Sequence, residues 1–137
     1  MKAVVVPRCG ETVWTDVPDV PGPGDYQAIV RVRAFSICNS TDRHLRDCRL
    51  AGLTAEKCPF LLGHEAAGEV IEVGPKCRHL KKGDLALRPM AVVEGYGSYW
   101  GGFAQYGPVA DYKAYEADGS PPGGPRIHKG HQVVPPE

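Results

Sequence analysis

Three side chains in this sequence carry groups that bind metal ions well. Cys38 offers a thiolate, and the adjacent His64 and Glu65 offer an imidazole and a carboxylate. All three are good zinc ligands, and three protein ligands with a fourth position open to water or substrate are typical of a catalytic zinc site. Spacing alone is weak support, because Cys38 and His64 lie far apart and a single Cys in a β-rich domain is usually a small buried hydrophobe.

The sequence around His64 is more specific than that spacing. Residues 59–77 read P-F-L-L-G-H-E-A-A-G-E-V-I-E-V-G-P-K-C. This stretch closely resembles the signature of zinc-containing alcohol dehydrogenases, in which G-H-E is followed by small residues at fixed spacings. The positions that meet the signature are Gly63, His64, Glu65, Gly68, Gly74 and Cys77. Residues 80–84, L-K-K-G-D, resemble the next landmark of the family, a K-x-G-D turn before a strand.

A second landmark of the family, C-G-[ST]-D-x-H, resembles residues 36–44, S-I-C-N-S-T-D-R-H. This chain has one more residue between Cys and Asp than the common pattern. Alignment from the Asp side makes Thr41 the hydroxyl that touches the substrate oxygen, whereas alignment from Cys38 gives that role to Ser40. We prefer Thr41 and keep Ser40 as the alternative.

The resemblance also implies roles for the neighbouring residues. It makes Asp42 the carboxylate that orients His64, because a ligating imidazole needs a fixed partner on its other nitrogen. His44 becomes a candidate for proton relay. Without the resemblance, residues 40–42 are an ordinary helix N-cap cluster and His44 is an exposed helix residue.

Taken together, the resemblance implies one catalytic zinc held by Cys38 and His64, with Glu65 either a ligand or a nearby charge that exchanges with one. Many relatives carry a second, structural zinc on four closely spaced cysteines after the K-x-G-D turn. This sequence has no Cys after Cys77, so we expect no structural zinc. The remaining cysteines are expected to be free thiols: Cys9, Cys48, Cys58 and Cys77.

No residue of the sequence is a candidate for binding a nicotinamide cofactor. Gly95, Gly97 and Gly101 do not have the spacing of G-x-G-x-x-G, and the run after them is strand-like, whereas the fingerprint needs a helix there. Residues 101–106 better resemble the landmark G-G-[FY]-A-[EQ]-Y of the catalytic domain. NAD(P) is therefore expected only through a domain absent from this chain.

The elements that must position these residues are mainly β-strands. Seventeen glycines and thirteen prolines favour short elements. Strands are predicted at 4–6, 12–17, 27–35, 68–73, 85–87 and 103–109, and the alternation within 27–35 predicts a half-buried strand. One or two helical turns are predicted after Ser40 or Thr41, with a hydroxyl capping the helix, and residues 118–125 are predicted to be a loop.

The strand pattern predicts a many-stranded barrel or sandwich, and the family resemblance narrows it to a mainly β, GroES-like, partly open β-barrel with a few short helices. We expect one such domain over residues 1–137, with no Rossmann domain in this chain. The resemblance stops at residues 132–137, about where the crossover to the cofactor domain would begin. In many relatives one further zinc ligand lies beyond that point.

Composition narrows the possible partners. Sixteen basic and sixteen acidic residues give a formal net charge of zero, which argues against nucleic acid or a membrane surface as a partner. Five irregularly spaced cysteines do not form a secreted disulfide framework, and neither a signal peptide nor a membrane span is apparent. We expect a reduced, cytoplasmic protein.

The resulting hypothesis is the zinc-binding domain of an NAD(P)-dependent alcohol or polyol dehydrogenase, inactive on its own. A separate Rossmann chain or a homo-oligomer is an expected partner. The alternative is a stand-alone module that binds zinc or a partner chain, or a truncated remnant without catalysis. A zinc-free quinone reductase fits poorly, because both Cys38 and the Gly-His-Glu stretch are present.

Overall fold

The computed structural model describes residues 1–50 and 52–125. Within them the chain forms eight strands, two short α-helices and one turn of 3-10 helix at Ala55–Lys57. In chain order the elements are β1 (Lys2–Val6), β2 (Val13–Asp16), β3 (Gln27–Phe35), α1 (Thr41–Arg46), β4 (Phe60–Leu61), β5 (Ala66–Val73), β6 (Leu85–Leu87), β7 (Gly97–Ser98), β8 (Tyr106–Ala110) and α2 (Tyr112–Ala117).

The strands form two four-stranded sheets, ordered β2-β1-β4-β7 and β6-β5-β3-β8. An isolated bridge joins Ala3 of β1 to Ala104, in the segment that leads into β8, and the backbone N–H of Val4 donates to the carbonyl of Phe103 over 2.7 Å. Within the described part of the chain the sheets do not close into one continuous ladder. The mainly β, partly open barrel predicted from the sequence is confirmed.

Strand β3 organises the second sheet, because it pairs antiparallel with both β5 and β8. Gly68 of β5 lies opposite Val32, and a β-carbon at Gly68 would fall 2.2 Å from the carbonyl oxygen of Arg31. Glycine is therefore required at this position for the two backbones to approach.

The predicted half-buried alternation within β3 is wrong over part of the strand. Ala28, Ile29 and Val30 are all buried, whereas residues 33–35 are all exposed. Pairing with β8 ends at Arg31, so the first half of β3 is enclosed and the second half extends past its neighbour. Burial changes along the strand and does not simply alternate across it.

Apolar side chains gather in three clusters. The first lies mainly on the β1 sheet and contains Ala3, Val5, Val17, Leu61, Ala91, Val93 and Ala104. The second lies mainly on the β3 sheet and contains Ala28, Val30, Val70, Leu80, Ala86 and Val109. The third packs α1 against β1 and β4 and contains Val6, Leu45, Leu53, Phe60, Leu62 and Phe103. Burial of this apolar surface is the main stabilising contribution to the fold.

Most predicted elements occur, with changed ends. The strands at 27–35 and 85–87 have the predicted bounds, and residues 118–125 contain no helix or strand. Of the other four predicted strands, β1 and β5 are longer than predicted, β2 is shorter and β8 is shifted. The sequence did not predict β4, β7 or α2. Residues 126–137, which belong to the predicted single domain and to the expected crossover, lie outside the described residues.

The prediction that Cys9 and Cys48 are free thiols is wrong, because the two form a disulfide across a sequence separation of 39 residues. The backbone N–H of Gly10 donates to the carbonyl of Arg46 over 2.8 Å, which brings the loop after β1 to the end of α1. Cys58 and Cys77 are free, as predicted.

Candidate metal centre

The segment that carries Cys38 connects β3 to α1. The backbone N–H of Ser36 donates to the carbonyl of Glu65 over 3.0 Å, so this segment is fixed against the Gly-His-Glu stretch as soon as β3 ends. The extra residue relative to the family pattern falls in a turn at 39–40. The turn absorbs the insertion before α1 begins at Thr41.

The segment that carries His64 and Glu65 connects β4 to β5. Gly63 has a φ of 107°, and its carbonyl accepts from the N–H of Gly102 over 2.7 Å. A β-carbon at Gly63 would lie 2.3 Å from the ring of Phe103. Only glycine combines this backbone angle with such a close contact, so Gly63 turns the chain towards Cys38.

Ligand atoms of Cys38, His64 and Glu65 all lie within 4.8 Å of one another. Nε2 of His64 is 3.5 Å from Oε1 of Glu65. The His64 side chain is nearly buried, whereas that of Glu65 is 43% exposed, so the group faces solvent on one side. A thiolate, an imidazole nitrogen and a carboxylate on one open side fit a zinc ion with room for a further ligand.

Asp42 holds two parts of this group in place. Its Oδ1 lies 2.8 Å from Nδ1 of His64, and its Oδ2 accepts from the backbone N–H of Cys38 over 2.8 Å. Because a carboxylate accepts, Nδ1 carries the proton and Nε2 keeps its lone pair for the site. The Asp42 carboxylate is only 3% exposed, and these two hydrogen bonds offset the free-energy cost of burying it.

Hydrogen bonds from the start of α1 act on the Cys38 thiol. The backbone N–H groups of Thr41 and Ser40 hold the pKa of Cys38 below its ordinary value, against a smaller opposing effect of burial. The Thr41 nitrogen lies 3.4 Å from Sγ. This arrangement favours the thiolate, which is the form that binds metals.

The predicted hydroxyl cap of α1 is wrong. Ser40 is the N-cap residue but makes no side-chain capping hydrogen bond. The sulfur of Cys38 instead accepts from the first helical N–H group, that of Thr41. Ser40 and Thr41 therefore both lie beside Cys38, whereas His44 is exposed further along the helix.

An aromatic neighbour of the site was missed in the sequence. The ring centroid of Trp100 lies 5.7 Å from that of His64, with the planes tilted by 52°. Trp100 has a φ of 65°, which is unusual for a bulky residue and marks a constrained position. The only signal in the sequence is its place between Tyr99 and two glycines, and that pattern does not point to His64.

A second buried carboxylate was also missed, and it serves the fold. Asp111 is fully buried and caps α2 by accepting from the N–H of Ala114 over 3.0 Å. It also accepts from the backbone N–H groups of Arg78 and His79, each over 2.8 Å. Its Oδ1 lies 2.9 Å from Nδ1 of His79. These contacts tie the turn after β5 to α2.

Comparison with known proteins shows the family of the chain. The family described as alcohol dehydrogenase GroES-like domain matches residues 24–118, well over half of the chain, and the chain belongs to that family.

No helix among the described residues is long and apolar enough to cross a membrane.

Among curated proteins, the chain is 39% identical over 88 residues to sorbitol dehydrogenase of Gallus gallus, covering 64% of this chain and 24% of that protein. It is 44% identical over 66 residues to L-threonine 3-dehydrogenase of Thermococcus kodakarensis, covering 48% and 19%. The chain thus spans a quarter or less of the length of these relatives.

Among solved structures, the quinone oxidoreductase from Coxiella burnetii superposes with a TM-score of 0.62 at 26% identity. The match covers 81% of this chain and 35% of that one. The fold is therefore shared with oxidoreductases that differ in the substrate they are named for.

Proposed function

We propose that this chain forms the zinc-binding part of the active site of an NAD(P)-dependent alcohol or polyol dehydrogenase. The observation that carries the proposal is the convergence of Cys38, His64 and Glu65, with ligand atoms within 4.8 Å of one another. The names of the relatives support the substrate class, since sorbitol is a polyol and L-threonine carries a hydroxyl.

In this proposal Cys38 and His64 hold one zinc ion, and Glu65 is a third ligand or a nearby charge. A zinc ion bound there would supply Lewis-acid polarisation of a substrate hydroxyl. Asp42 fixes the His64 ring through the 2.8 Å contact at Nδ1, so that Nε2 faces the metal position.

The hydroxyl of Thr41 is proposed to relay the proton of the substrate hydroxyl outward, giving up its own proton as it takes up that of the substrate. Its position at the first residue of α1, directly beside Cys38, supports this role. Ser40 is the alternative, since it occupies the N-cap on the same turn. His44, one helical turn further on and exposed, is proposed to pass the proton to solvent.

The hydride acceptor is proposed to be NAD(P), held by a domain outside these 137 residues, whether on the same polypeptide or on a separate Rossmann chain. The described residues contain no βαβ unit of the kind that holds a dinucleotide. We therefore propose that the chain alone does not turn over. Steady oxidation of simple alcohols with added NAD or NADP would contradict this.

A test that separates a substrate site from a purely structural metal site is cobalt substitution. We expect Co²⁺ to bind to the parent chain and to show thiolate charge transfer from Cys38. A small alcohol or polyol should then shift the visible bands, because it enters the open position on the metal. The Cys77→Ser variant, altered at a distant thiol, serves as the matched control.

The outcome also decides between this proposal and its rivals. If cobalt binds but its visible spectrum does not change when alcohol is added, a stand-alone metal-binding module without catalysis is favoured. No cobalt binding at Cys38 and His64 would favour a zinc-free oxidoreductase, a possibility raised by the similarity to the quinone oxidoreductase structure.

A further inference from the structure

A second group of metal-binding side chains lies apart from the first. The sulfur atoms of Cys9, Cys48 and Cys58 all lie within 4.8 Å of one another, and none of these residues belongs to the Cys38 group. Cys9 and Cys48 are joined as a disulfide, and Sγ of Cys48 lies 4.0 Å from Sγ of the free Cys58. We call these three residues the thiol cluster.

Three separate segments bring the thiol cluster together. Antiparallel pairing of β1 with β4 places Val6 opposite Phe60, so the chain after Val6 runs beside the chain before Phe60. That pairing brings Cys9 towards Cys58. The Gly10 N–H bond to the carbonyl of Arg46 adds the end of α1, where Cys48 follows. The secondary structure itself therefore positions all three sulfurs.

The surroundings of the thiol cluster are apolar on one side and open on the other. Cys48 and Cys58 pack against the third apolar cluster, which includes Leu45, Leu53 and Phe60. All three cysteine side chains are partly exposed. A cation can therefore enter from solvent, while the apolar side keeps water from the sulfurs and strengthens their attraction for it.

We propose that the thiol cluster, when reduced, binds one thiophilic divalent cation such as zinc through the thiolates of Cys9, Cys48 and Cys58. Thiolates select such ions over magnesium or calcium, and three of them leave one position for water or a further ligand. The 4.0 Å spacing of Cys48 and Cys58 suits two sulfurs that share one ion at about 2.3 Å each.

The disulfide and the bound cation exclude each other in this proposal. A dithiol reductant transfers two electrons and two protons to the Cys9–Cys48 bond and is itself oxidised to a disulfide. The two resulting thiols and that of Cys58 release their protons to solvent as the cation binds. In the oxidised form, the disulfide links the loop after β1 covalently to the end of α1. In the reduced form, the bound metal ion links both of these segments to the segment before β4.

The experiment uses the full chain carrying Cys38→Ser, which removes the first metal group. The protein is reduced with a phosphine, freed of metal and titrated with Cd²⁺ while thiolate-to-cadmium absorption is recorded. We expect one cadmium per chain. Adding Cys58→Ser should remove about one third of the charge-transfer intensity, or abolish binding, because one of three thiolates is lost. Adding Cys77→Ser instead should change nothing.

Two results would overturn the proposal: no cadmium bound by the reduced Cys38→Ser chain, or an absorption band that Cys58→Ser leaves unchanged. If the chain with Cys58→Ser does not fold, X-ray absorption at the cadmium edge of the Cys38→Ser chain gives the number of sulfur ligands directly. Fewer than three sulfur ligands would then reject the proposal. The same chain left oxidised is expected to bind no cadmium at these residues. Failure here leaves the Cys38 centre untouched, since the background already lacks it.

Discussion

Oδ1 of Asp42 lies 2.8 Å from Nδ1 of His64, and this contact connects helix α1 to the stretch that precedes β5. The same carboxylate binds the backbone of Cys38. One buried side chain therefore sets the orientation of the imidazole and the position of the thiol together. The proposed metal centre thus depends on a residue that is not itself a candidate ligand.

The first prediction concerns that residue. Asp42→Asn keeps the size of the side chain but removes its charge, so it should weaken zinc binding by about 10- to 100-fold, as loss of such a partner does in other zinc sites. Competition with a chromophoric chelator measures the affinity. Glu72→Gln, at an exposed position of β5, is the control and should bind zinc as the parent does. Parent-like affinity in Asp42→Asn would show that the contact does not position His64.

Gly63→Ala should lower the free energy of unfolding by about 3 kcal/mol, because a β-carbon there meets Phe103 and the backbone has a positive φ. Gly22→Ala is a matched control, since nothing lies within 4 Å of the added carbon, and it should be neutral or slightly stabilising. Urea unfolding of both variants measures the difference. Equal stabilities would mean that the turn at Gly63 relaxes without cost.

Asp111 should make the stability of the fold depend on acid pH. Burial acts to raise the pKa of Asp111, but hydrogen bonds from Ala114, Arg78 and His79 outweigh it and hold the pKa below its ordinary value. A carboxyl whose pKa is lower in the folded state stabilises that state above the unfolded pKa of about 4, and this contribution is lost as pH falls through the folded value.

Asp111→Asn should therefore be less stable than the parent at neutral pH and should approach the parent as the pH falls below about 4. Asp111→Ala also removes the cap of α2 and should cost about 1–2 kcal/mol or more. Thermal unfolding between neutral and acid pH checks both. A constant difference between Asp111→Asn and the parent across this range would reject the assigned role of the charge.

Cys77 should be unreactive in the folded chain. Burial raises the pKa of this thiol to about 11, and its sulfur donates to the carbonyl of Gln27 over 3.2 Å. Near pH 8 its alkylation by iodoacetamide should be on the order of 100-fold slower than in the unfolded chain, since only the thiolate reacts. Peptide mass spectrometry with and without denaturant measures the ratio. Equal alkylation rates in the folded and the unfolded chain would contradict the burial of the Cys77 thiol.

The sequence predicted the presence of strands better than their ends, and it missed the shortest strands. Residues 27–35 and 85–87 were found with their bounds, whereas β1, β2, β5 and β8 were found with different ends. The strands β4 and β7 have two residues each, too few to show any period, and they depend on neighbours that pair with them. Tertiary contacts determine whether such short strands form, and the local sequence does not reveal those contacts.

Local motifs predicted the residues of the candidate site, but they did not predict the pairing of the cysteines. The Gly-His-Glu stretch and the segment after β3 predicted Cys38, His64 and Asp42 as members of one site, and the structure brings them together. The Cys9–Cys48 disulfide joins segments 39 residues apart, and no spacing rule points to it. Trp100 reaches His64 only through an unusual backbone conformation that its sequence does not reveal.

The central claim is that Cys38 and His64 hold a zinc ion, and zinc content tests it most directly. The chain is purified without reductant, so that the Cys9–Cys48 disulfide stays closed, and compared with Cys38→Ser, His64→Ala and Cys77→Ser. We predict about one zinc per chain in the parent and in Cys77→Ser, and none in the other two. A parent chain without zinc, or zinc retained in both Cys38→Ser and His64→Ala, would contradict the account.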